Sequence, residues 1–193
     1  MNGCRSTLFK SCVVLVTLSI SLVACGSSKT TEAVAEPMNN NADFDQIPGQ
    51  FPSQEPGIPG ASIAPVGACV SFEGPSSNAS LKVVDCGSPT NGFKVIQRVS
   101  TPDQCPADVA QKFYMNPDEG QFTACLDFAW SAKDCLSVGK VTAVRAACDD
   151  TSKPNREKPL KVILNTTTNA GCRPTGGFPH AVRKFAVCTE TQP

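Results

Sequence analysis

The feature that most constrains the fold of this chain is a set of eight widely spaced cysteines between residues 69 and 188. They form two series of four: Cys69, Cys86, Cys105 and Cys125, then Cys135, Cys148, Cys172 and Cys188. No C-x-x-C motif occurs, so the spacing fits neither a zinc ribbon nor a thioredoxin-like redox centre. An even set of separated cysteines indicates structural disulfides formed in an oxidising compartment.

Spacing alone does not determine which of these cysteines pair. The two series share the same order, however, and this symmetry favours a scheme that repeats in each half. We therefore predict four local disulfides, Cys69–Cys86, Cys105–Cys125, Cys135–Cys148 and Cys172–Cys188. A disulfide that closes a loop of this length stabilises a fold by about 3 kcal/mol in the chain-entropy treatment.

Two further spacings match between the series and predict an internal duplication. Eleven residues separate Lys94 from Cys105 and Lys161 from Cys172, and three separate Phe122 from Cys125 and Phe185 from Cys188. We place the first repeat at residues 67–130 and the second at residues 131–193. Trp130, at the join, is expected to pack between them.

The composition of both repeats is typical of strands and turns. Segments such as LKVVDC, FKVIQRV and PLKVILNTTT alternate with clusters of Gly, Pro, Asn and Asp. We predict a mainly β (small α+β) fold with two similar β-rich, disulfide-stabilised halves packed as one domain. One short helix is expected over residues 106–114, since Pro106 suits a first turn and Val109 and Phe113 share a helical face. Residues 173–182 are expected to form a loop.

The first 24 residues have the pattern of a secretory signal peptide. Arg5 and Lys10 precede an apolar run, Ser11 to Ala24, that is too short for a bilayer core, which needs roughly 20 apolar residues. The run ends in Leu22-Val23-Ala24-Cys25, which resembles a bacterial lipobox. That resemblance implies cleavage before Cys25 and a lipid on its sulfur.

This assignment explains the odd total of eleven cysteines. Cys4 and Cys12 leave with the signal peptide, Cys25 carries the lipid, and eight remain to pair. Residues 25–66 would then be a lipidated N-terminus followed by a Pro-rich tether. Its composition and net charge of −4 predict a disordered or polyproline-like spacer.

A family resemblance covers about residues 67–193. It rests on Cys69, Val84-Asp85-Cys86-Gly87-Ser88-Pro89, Lys94-Val95, Cys105-Pro106, Cys125-Leu126 and Asp134-Cys135-Leu136. This pattern resembles the module of actinobacterial envelope lipoproteins of the LppU type and is similar to the septum formation domain. The resemblance implies a lipoprotein anchored on the extracytoplasmic face of the cell membrane, and it implies no particular reaction or ligand.

The sequence offers few groups for catalysis. His180 is the single histidine, and a lone histidine in a predicted loop is expected to be solvated. A hydrolase would need it as a general base, oriented by Asp127 or Asp150, but no G-x-S-x-G turn supplies a nucleophile. Adjacent acids at 118–119 and 149–150 lack a calcium-loop pattern. No metal or cofactor is expected.

A formal net charge of zero, without a basic block, disfavours nucleic acid as a partner. The basic residues of the second repeat, Lys153, Arg156, Lys158, Lys161, Arg173, Arg183 and Lys184, are expected to lie on a mixed solvated surface. We expect a non-enzymatic, lipid-anchored domain that binds an envelope protein or cell-wall ligand, with a groove between the halves as the contact. The alternatives are an extracellular hydrolase using His180 and a purely structural envelope component.

Overall fold

The computed structural model describes residues 43–75 and 78–193 as a β protein with two five-stranded antiparallel sheets. The first sheet has the order β2-β1-β3-β5-β4, with β1 (Cys69–Glu73), β2 (Ser80–Val84), β3 (Phe93–Val99), β4 (Gln111–Met115) and β5 (Phe122–Phe128). The second has the order β7-β6-β8-β10-β9, with β6 (Cys135–Val138), β7 (Ala143–Ala146), β8 (Arg156–Leu164), β9 (Gly176–His180) and β10 (Phe185–Thr191). Within the described residues, no helix is long and apolar enough to cross a membrane.

The two halves have the same topology, as the duplication predicts. A β-bulge lies at the same place in both, with Ile96 as the extra residue in β3 and Leu160 in β8. Next to each bulge, Gln97 and Lys161 pair with the last cysteine of their series. Gln97 is therefore the counterpart of Lys161, and the eleven-residue spacing that begins at Lys94 does not join equivalent positions.

The other spacing does mark equivalent positions. Phe122 begins β5 and pairs with Met115, the last residue of edge strand β4. Phe185 begins β10 and pairs with His180, the last residue of edge strand β9. Met115 and His180 are therefore structural counterparts.

The four predicted disulfides are confirmed. Cys69–Cys86, Cys105–Cys125, Cys135–Cys148 and Cys172–Cys188 all have bonded sulfurs, with Cα atoms 5.0 to 5.6 Å apart. A 3₁₀ turn precedes or contains the third cysteine of each series, at Pro102–Gln104 and Ala170–Cys172. The buried sulfurs of Cys125 and Cys188 each belong to a small apolar cluster in their own half.

The predicted helix over residues 106–114 is wrong, because residues 111–115 form strand β4 on the edge of the first sheet. Phe113 contacts the main core of the first half, whereas Val109 packs beside the Cys105–Cys125 disulfide. The two side chains therefore lie against different clusters, although their spacing suits one helical face. Strand pairing with β5 overrides that local pattern.

The predicted loop over residues 173–182 is also partly wrong, because Gly176–His180 form edge strand β9. Pro179 is tolerated there since an edge strand needs only one row of backbone hydrogen bonds. Gly177 is required by crowding: a methyl group at this position would lie 2.9 Å from the Cys172 sulfur and 2.7 Å from the Val187 carbonyl.

The predicted disorder of the tether does not hold for residues 43–66, which we call the N-terminal wrap. Phe44 and Ile47 are buried in the core of the second half, and Ile58 and Ile63 pack on the core of the first half. Arg98 of β3 donates hydrogen bonds to two carbonyl oxygens of the wrap. A few irregularly spaced apolar residues are enough to order the segment. The predicted signal peptide, the predicted lipid site at Cys25 and the rest of the predicted tether to residue 42 lie outside the described residues.

Aromatic side chains connect the cores of the two halves. Phe128, at the end of β5, contacts both main apolar clusters. Its ring centroid lies 5.6 Å from that of Trp130 and 5.4 Å from that of Phe178 in β9. Trp130 is buried and lies 5.0 Å from Phe178, so the expectation that it packs between the halves is confirmed.

Gly60 and Gly57 provide a test of the packing of the wrap. Both have positive φ, +81° and +78°, so an alanine at either position costs about 1–2 kcal/mol in backbone strain. At Gly60 the added methyl would also overlap the Phe122 ring, whereas at Gly57 it meets nothing within 4 Å. Gly60→Ala should therefore lower the free energy of unfolding by roughly 1–3 kcal/mol more than Gly57→Ala. Urea denaturation of both variants measures the difference, and equal losses would contradict packing of the wrap on Phe122.

Candidate functional site

A buried arginine joins three separate segments of the chain. Arg183, in the turn between β9 and β10, donates hydrogen bonds from Nη1 and Nη2 to the Asp127 carboxylate at 2.7 and 2.9 Å. Its Nε donates to Asp108 Oδ1 at 2.9 Å, and its Nη1 also donates to the Gln50 carbonyl at 3.0 Å. The three charged side chains are at most 7% exposed. We call these four residues with His180 the Arg183 cluster.

The cluster attaches the second half to the first half and to the wrap. Asp127 lies near the end of β5, Asp108 precedes β4, and Gln50 belongs to the wrap. Burial alone would raise the pKa of Asp108, but hydrogen bonds and charge from Arg183 outweigh it and hold that pKa below its usual value. Burial opposes the charge of Arg183, yet Asp127 and Asp108 more than compensate and raise its pKa.

His180 is buried in this cluster, so the expectation of a solvated loop histidine is wrong. It is 4% exposed and stacks on Phe185 with ring centroids 4.2 Å apart. Its Nδ1 lies 2.7 Å from Arg183 Nη2. Nδ1 also lies 3.0 Å from the Asp108 carbonyl oxygen, so this nitrogen faces both a guanidinium donor and a carbonyl acceptor. Burial lowers the pKa of His180, and Arg183 lowers it further against the opposing charge of Asp127.

This arrangement does not resemble that of a hydrolase general base. Nδ1 lies against the Arg183 guanidinium and the Asp108 carbonyl, and the residue is 4% exposed, so Nδ1 does not face a nucleophile. Asp127 is in the same cluster but is hydrogen-bonded to Arg183 and Gln50, and Asp150 bonds to Ser152. In the part of the chain that the structure describes, no serine hydroxyl is hydrogen-bonded to His180.

A polar cavity of about 210 Å³ lies where the two halves and the wrap meet, and we call it the junction cavity. Its lining includes residues from the wrap, β3, the connection between the halves and β7. These are Asp45, Cys69, Cys86, Gly87, Lys94, Ala129, Trp130, Ser131, Lys133, Asp134 and Arg145. Several of them, among them Lys94 and Asp134, belong to the motifs on which the family resemblance rests.

Two buried cations line the junction cavity. Lys94 Nζ lies 2.9 Å from Asp45 Oδ1, and the lysine side chain is 6% exposed whereas the aspartate is 76% exposed. Arg145 Nη1 lies 3.3 Å from Asp134 Oδ2, with side chains 7% and 39% exposed. Arg145 Nη2 also donates to the Ala129 carbonyl at 2.9 Å. The positive charges are therefore buried, and their acidic partners face solvent.

Two hydrogen-bond donors in the cavity lining have no acceptor among the described residues. They are the indole Nε1 of Trp130 and the Nε of Arg145, and both atoms are fully buried. Most buried donors in folded proteins have a partner, because an unpaired buried donor costs about 1–3 kcal/mol. Two such donors beside one cavity make it the strongest candidate for a binding site.

The remaining residues considered from the sequence do not converge on a site. Glu119 accepts a hydrogen bond from Ser62, and Asp150 accepts from Ser152. No group of three or more metal-ligating side chains occurs within residues 43–75 and 78–193. Two arginines expected on the surface are not there: the Arg183 side chain is 5% exposed, and Arg156 is buried and donates to the carbonyl of Cys148 at 3.1 Å.

Neither the Arg183 cluster nor the pair of buried cations at the junction cavity is marked by a local pattern in the sequence. Asp108 and Arg183 are 75 residues apart, and no periodic pattern relates them. Lys94 lies in β3, FKVIQRV, which is almost continuously buried although three of its seven residues are polar, so the sequence of the strand does not predict the burial of Lys94. A buried charge of this kind needs a partner.

Comparison of the chain with protein-family models, with curated proteins and with solved structures finds no match in any of the three. The resemblance to envelope lipoproteins therefore stays a prediction from its motifs. Inferences about function rest instead on the geometry of the junction cavity and of the Arg183 cluster.

The Arg183 cluster predicts a large loss of stability for Arg183→Met. This change leaves the buried carboxylates of Asp108 and Asp127 unpaired, and breaking a buried pair costs about 3–5 kcal/mol. Glu73→Gln is the matched control, because the Lys82–Glu73 pair has a similar distance, 2.8 Å, but side chains more than half exposed. That change should cost less than about 1 kcal/mol. Urea unfolding of both variants tests the contrast, and similar losses would contradict it.

The lowered pKa values of His180 and Asp108 predict acid destabilisation. A lowered folded-state pKa means that the unfolded state binds protons more tightly, so stability falls with decreasing pH. The His180 contribution is lost as pH falls below the ordinary histidine value of 6.5, and the Asp108 contribution as pH falls below 3.8. His180→Met, which introduces the side chain of its structural counterpart Met115, should flatten the dependence between pH 7 and pH 5. Unfolding free energies at several pH values give the slope of stability against pH for the unaltered protein and for His180→Met. Equal slopes between pH 7 and pH 5 would contradict a lowered pKa of His180.

Proposed function

We propose that this protein is a lipid-anchored, extracytoplasmic binding domain that carries out no reaction. The observation that carries the proposal is the distribution of its cysteines. All eight from Cys69 onward form disulfides, which is typical of an oxidising compartment. Cys25, directly after the apolar run, is then the one cysteine of the mature chain left for a lipid.

The anchor is strong enough to hold the protein at the outer face of the cell membrane. Each buried methylene contributes about 0.8 kcal/mol, and one acyl chain gives only marginal, reversible binding. A diacylglycerol on the Cys25 sulfur, with or without a further acyl chain on its amine, supplies two or three chains. Membrane attachment would then need no other part of the protein.

Binding is favoured over catalysis by the two polar features at the junction of the halves. In the Arg183 cluster, His180 Nδ1 lies against the Arg183 guanidinium and the Asp108 carbonyl, which suits a structural role rather than proton transfer. The lining of the junction cavity includes two buried cations and two residues with unpaired donors, and its one hydroxyl, that of Ser131, is hydrogen-bonded among the described residues only to the Lys133 backbone N–H. A partner in the cell envelope, protein or wall component, is the expected class of ligand.

Fatty-acid labelling tests the anchor. In a bacterium that processes lipoproteins, the protein should incorporate a labelled fatty acid and partition with membranes. Cys25→Ser should abolish both, because the serine hydroxyl does not replace the thiol as the lipid acceptor. Cys12→Ser, inside the signal peptide, is the control and should label normally. Persistent labelling of Cys25→Ser, or loss of labelling in Cys12→Ser alone, would overturn the assignment.

A further inference from the structure

We propose that the junction cavity binds a small carboxylate through Lys94, Arg145 and Trp130. This inference rests on the proposed binding function and names the chemical class of the ligand. It is independent of the lipid anchor, because every residue involved belongs to the folded part of the chain.

The distribution of charge favours an anion. The side chains of Lys94 and Arg145 are at most 7% exposed, whereas Asp45 and Asp134, their partners, lie towards solvent. Because the Asp45 and Asp134 carboxylates lie towards solvent, water can hydrate them when they move away from Lys94 and Arg145. A carboxylate that enters the cavity can therefore replace Asp45 at Lys94 or Asp134 at Arg145 with little loss.

Hydrogen bonding to two of the lining residues also favours a carboxylate. Trp130 Nε1 and Arg145 Nε each have a hydrogen to donate, and no described residue accepts it. A carboxylate has two oxygens that together accept about four hydrogen bonds. Charge-assisted hydrogen bonds of this kind are roughly twice as strong as neutral ones. Lys94 adds a point charge at the same cavity.

Charge balance and size favour a monocarboxylate over a phosphate. The charged residues of the lining are Lys94, Lys133 and Arg145 against Asp45 and Asp134, which leaves one positive charge for a single negative group. Pockets for drug-sized ligands measure roughly 300–1,000 Å³. At about 210 Å³ the junction cavity suits a free small acid or the carboxyl end of a peptide.

Trp130 provides a direct signal for binding, since it is the sole tryptophan and lines the cavity. The purified, oxidised protein is titrated with acetate, acetyl-dialanine, acetyl-dialanine amide and inorganic phosphate, and indole fluorescence is recorded against sodium chloride at equal ionic strength. Acetyl-dialanine should give a saturable change in indole fluorescence, and acetyl-dialanine amide should give none. A response to acetate as well indicates that a free acid suffices, whereas a response to the peptide acid alone indicates a peptide end.

Lys94→Met tests the role of the buried lysine. Loss of one charge-assisted hydrogen bond should weaken binding of acetyl-dialanine about tenfold or more. Lys82→Met is the control, because Lys82 forms an exposed pair with Glu73 and does not line the cavity. Thermal unfolding of each variant shows whether it is folded, and the comparison of acid with amide in the unaltered protein does not depend on either variant.

Several results would overturn the inference. They are the absence of a saturable change with either acid, equal responses to acetyl-dialanine and its amide, a response to inorganic phosphate alone, and unchanged affinity in a folded Lys94→Met variant. None of them bears on fatty-acid labelling of Cys25, so failure of this inference is distinguishable from failure of the proposed anchor.

Discussion

One guanidinium group determines how the parts of this protein fit together. Arg183 of the second half binds Asp127 and Asp108 of the first half and the Gln50 carbonyl of the wrap. Apolar contacts such as those of Phe128 tolerate small shifts, but a buried cation must meet its acceptors at hydrogen-bond distance. Buried ion pairs often add little net stability, because desolvation offsets their attraction. Disulfides and apolar clusters stabilise each half internally. The Arg183 cluster therefore contributes mainly by fixing how the two sheets are arranged relative to each other.

The parts of the fold that the sequence predicts are those with local or repeated signals. The disulfides follow from the matched order of the cysteines, and the position of Trp130 follows from its place at the join. Strands β4 and β9 are not predicted from the sequence, because pairing with β5 and β10, rather than local composition, determines that they form strands. The order of the wrap is not predicted either, because Phe44 and Ile47 have no periodic pattern, and their burial depends on a surface formed far along the chain. The Arg183 cluster is not predicted from the sequence for the same reason, because Arg183 and Asp108 meet only in the folded protein.

The two halves use the same sheet positions differently. Lys94 pairs with Asp127 across β3 and β5, and at the equivalent place Lys158 pairs with Glu190 across β8 and β10. The second pair is exposed, as expected for a charged pair on a sheet surface. The first pair is buried, because the wrap and the second half cover it. Each of its members forms an ion pair with a residue outside the first sheet: Lys94 with Asp45 at the junction cavity and Asp127 with Arg183. The candidate site thus arises from the contact between the copies and is absent from the repeated unit itself.

The order of the wrap also changes what the N-terminal segment can do. A spacer over residues 25–66 has a contour length of at most about 150 Å, since a residue spans no more than about 3.6 Å. With residues 43–66 packed on the sheets, only residues 26–42 lie between Cys25 and the folded part, a contour length of at most about 60 Å. Under the proposed anchor, the shorter length favours a ligand close to the membrane surface over one deep in an outer wall layer. The wrap contributes Asp45 to the junction cavity and Gln50 to the Arg183 cluster, so the segment that leads to the anchor is itself part of both polar features.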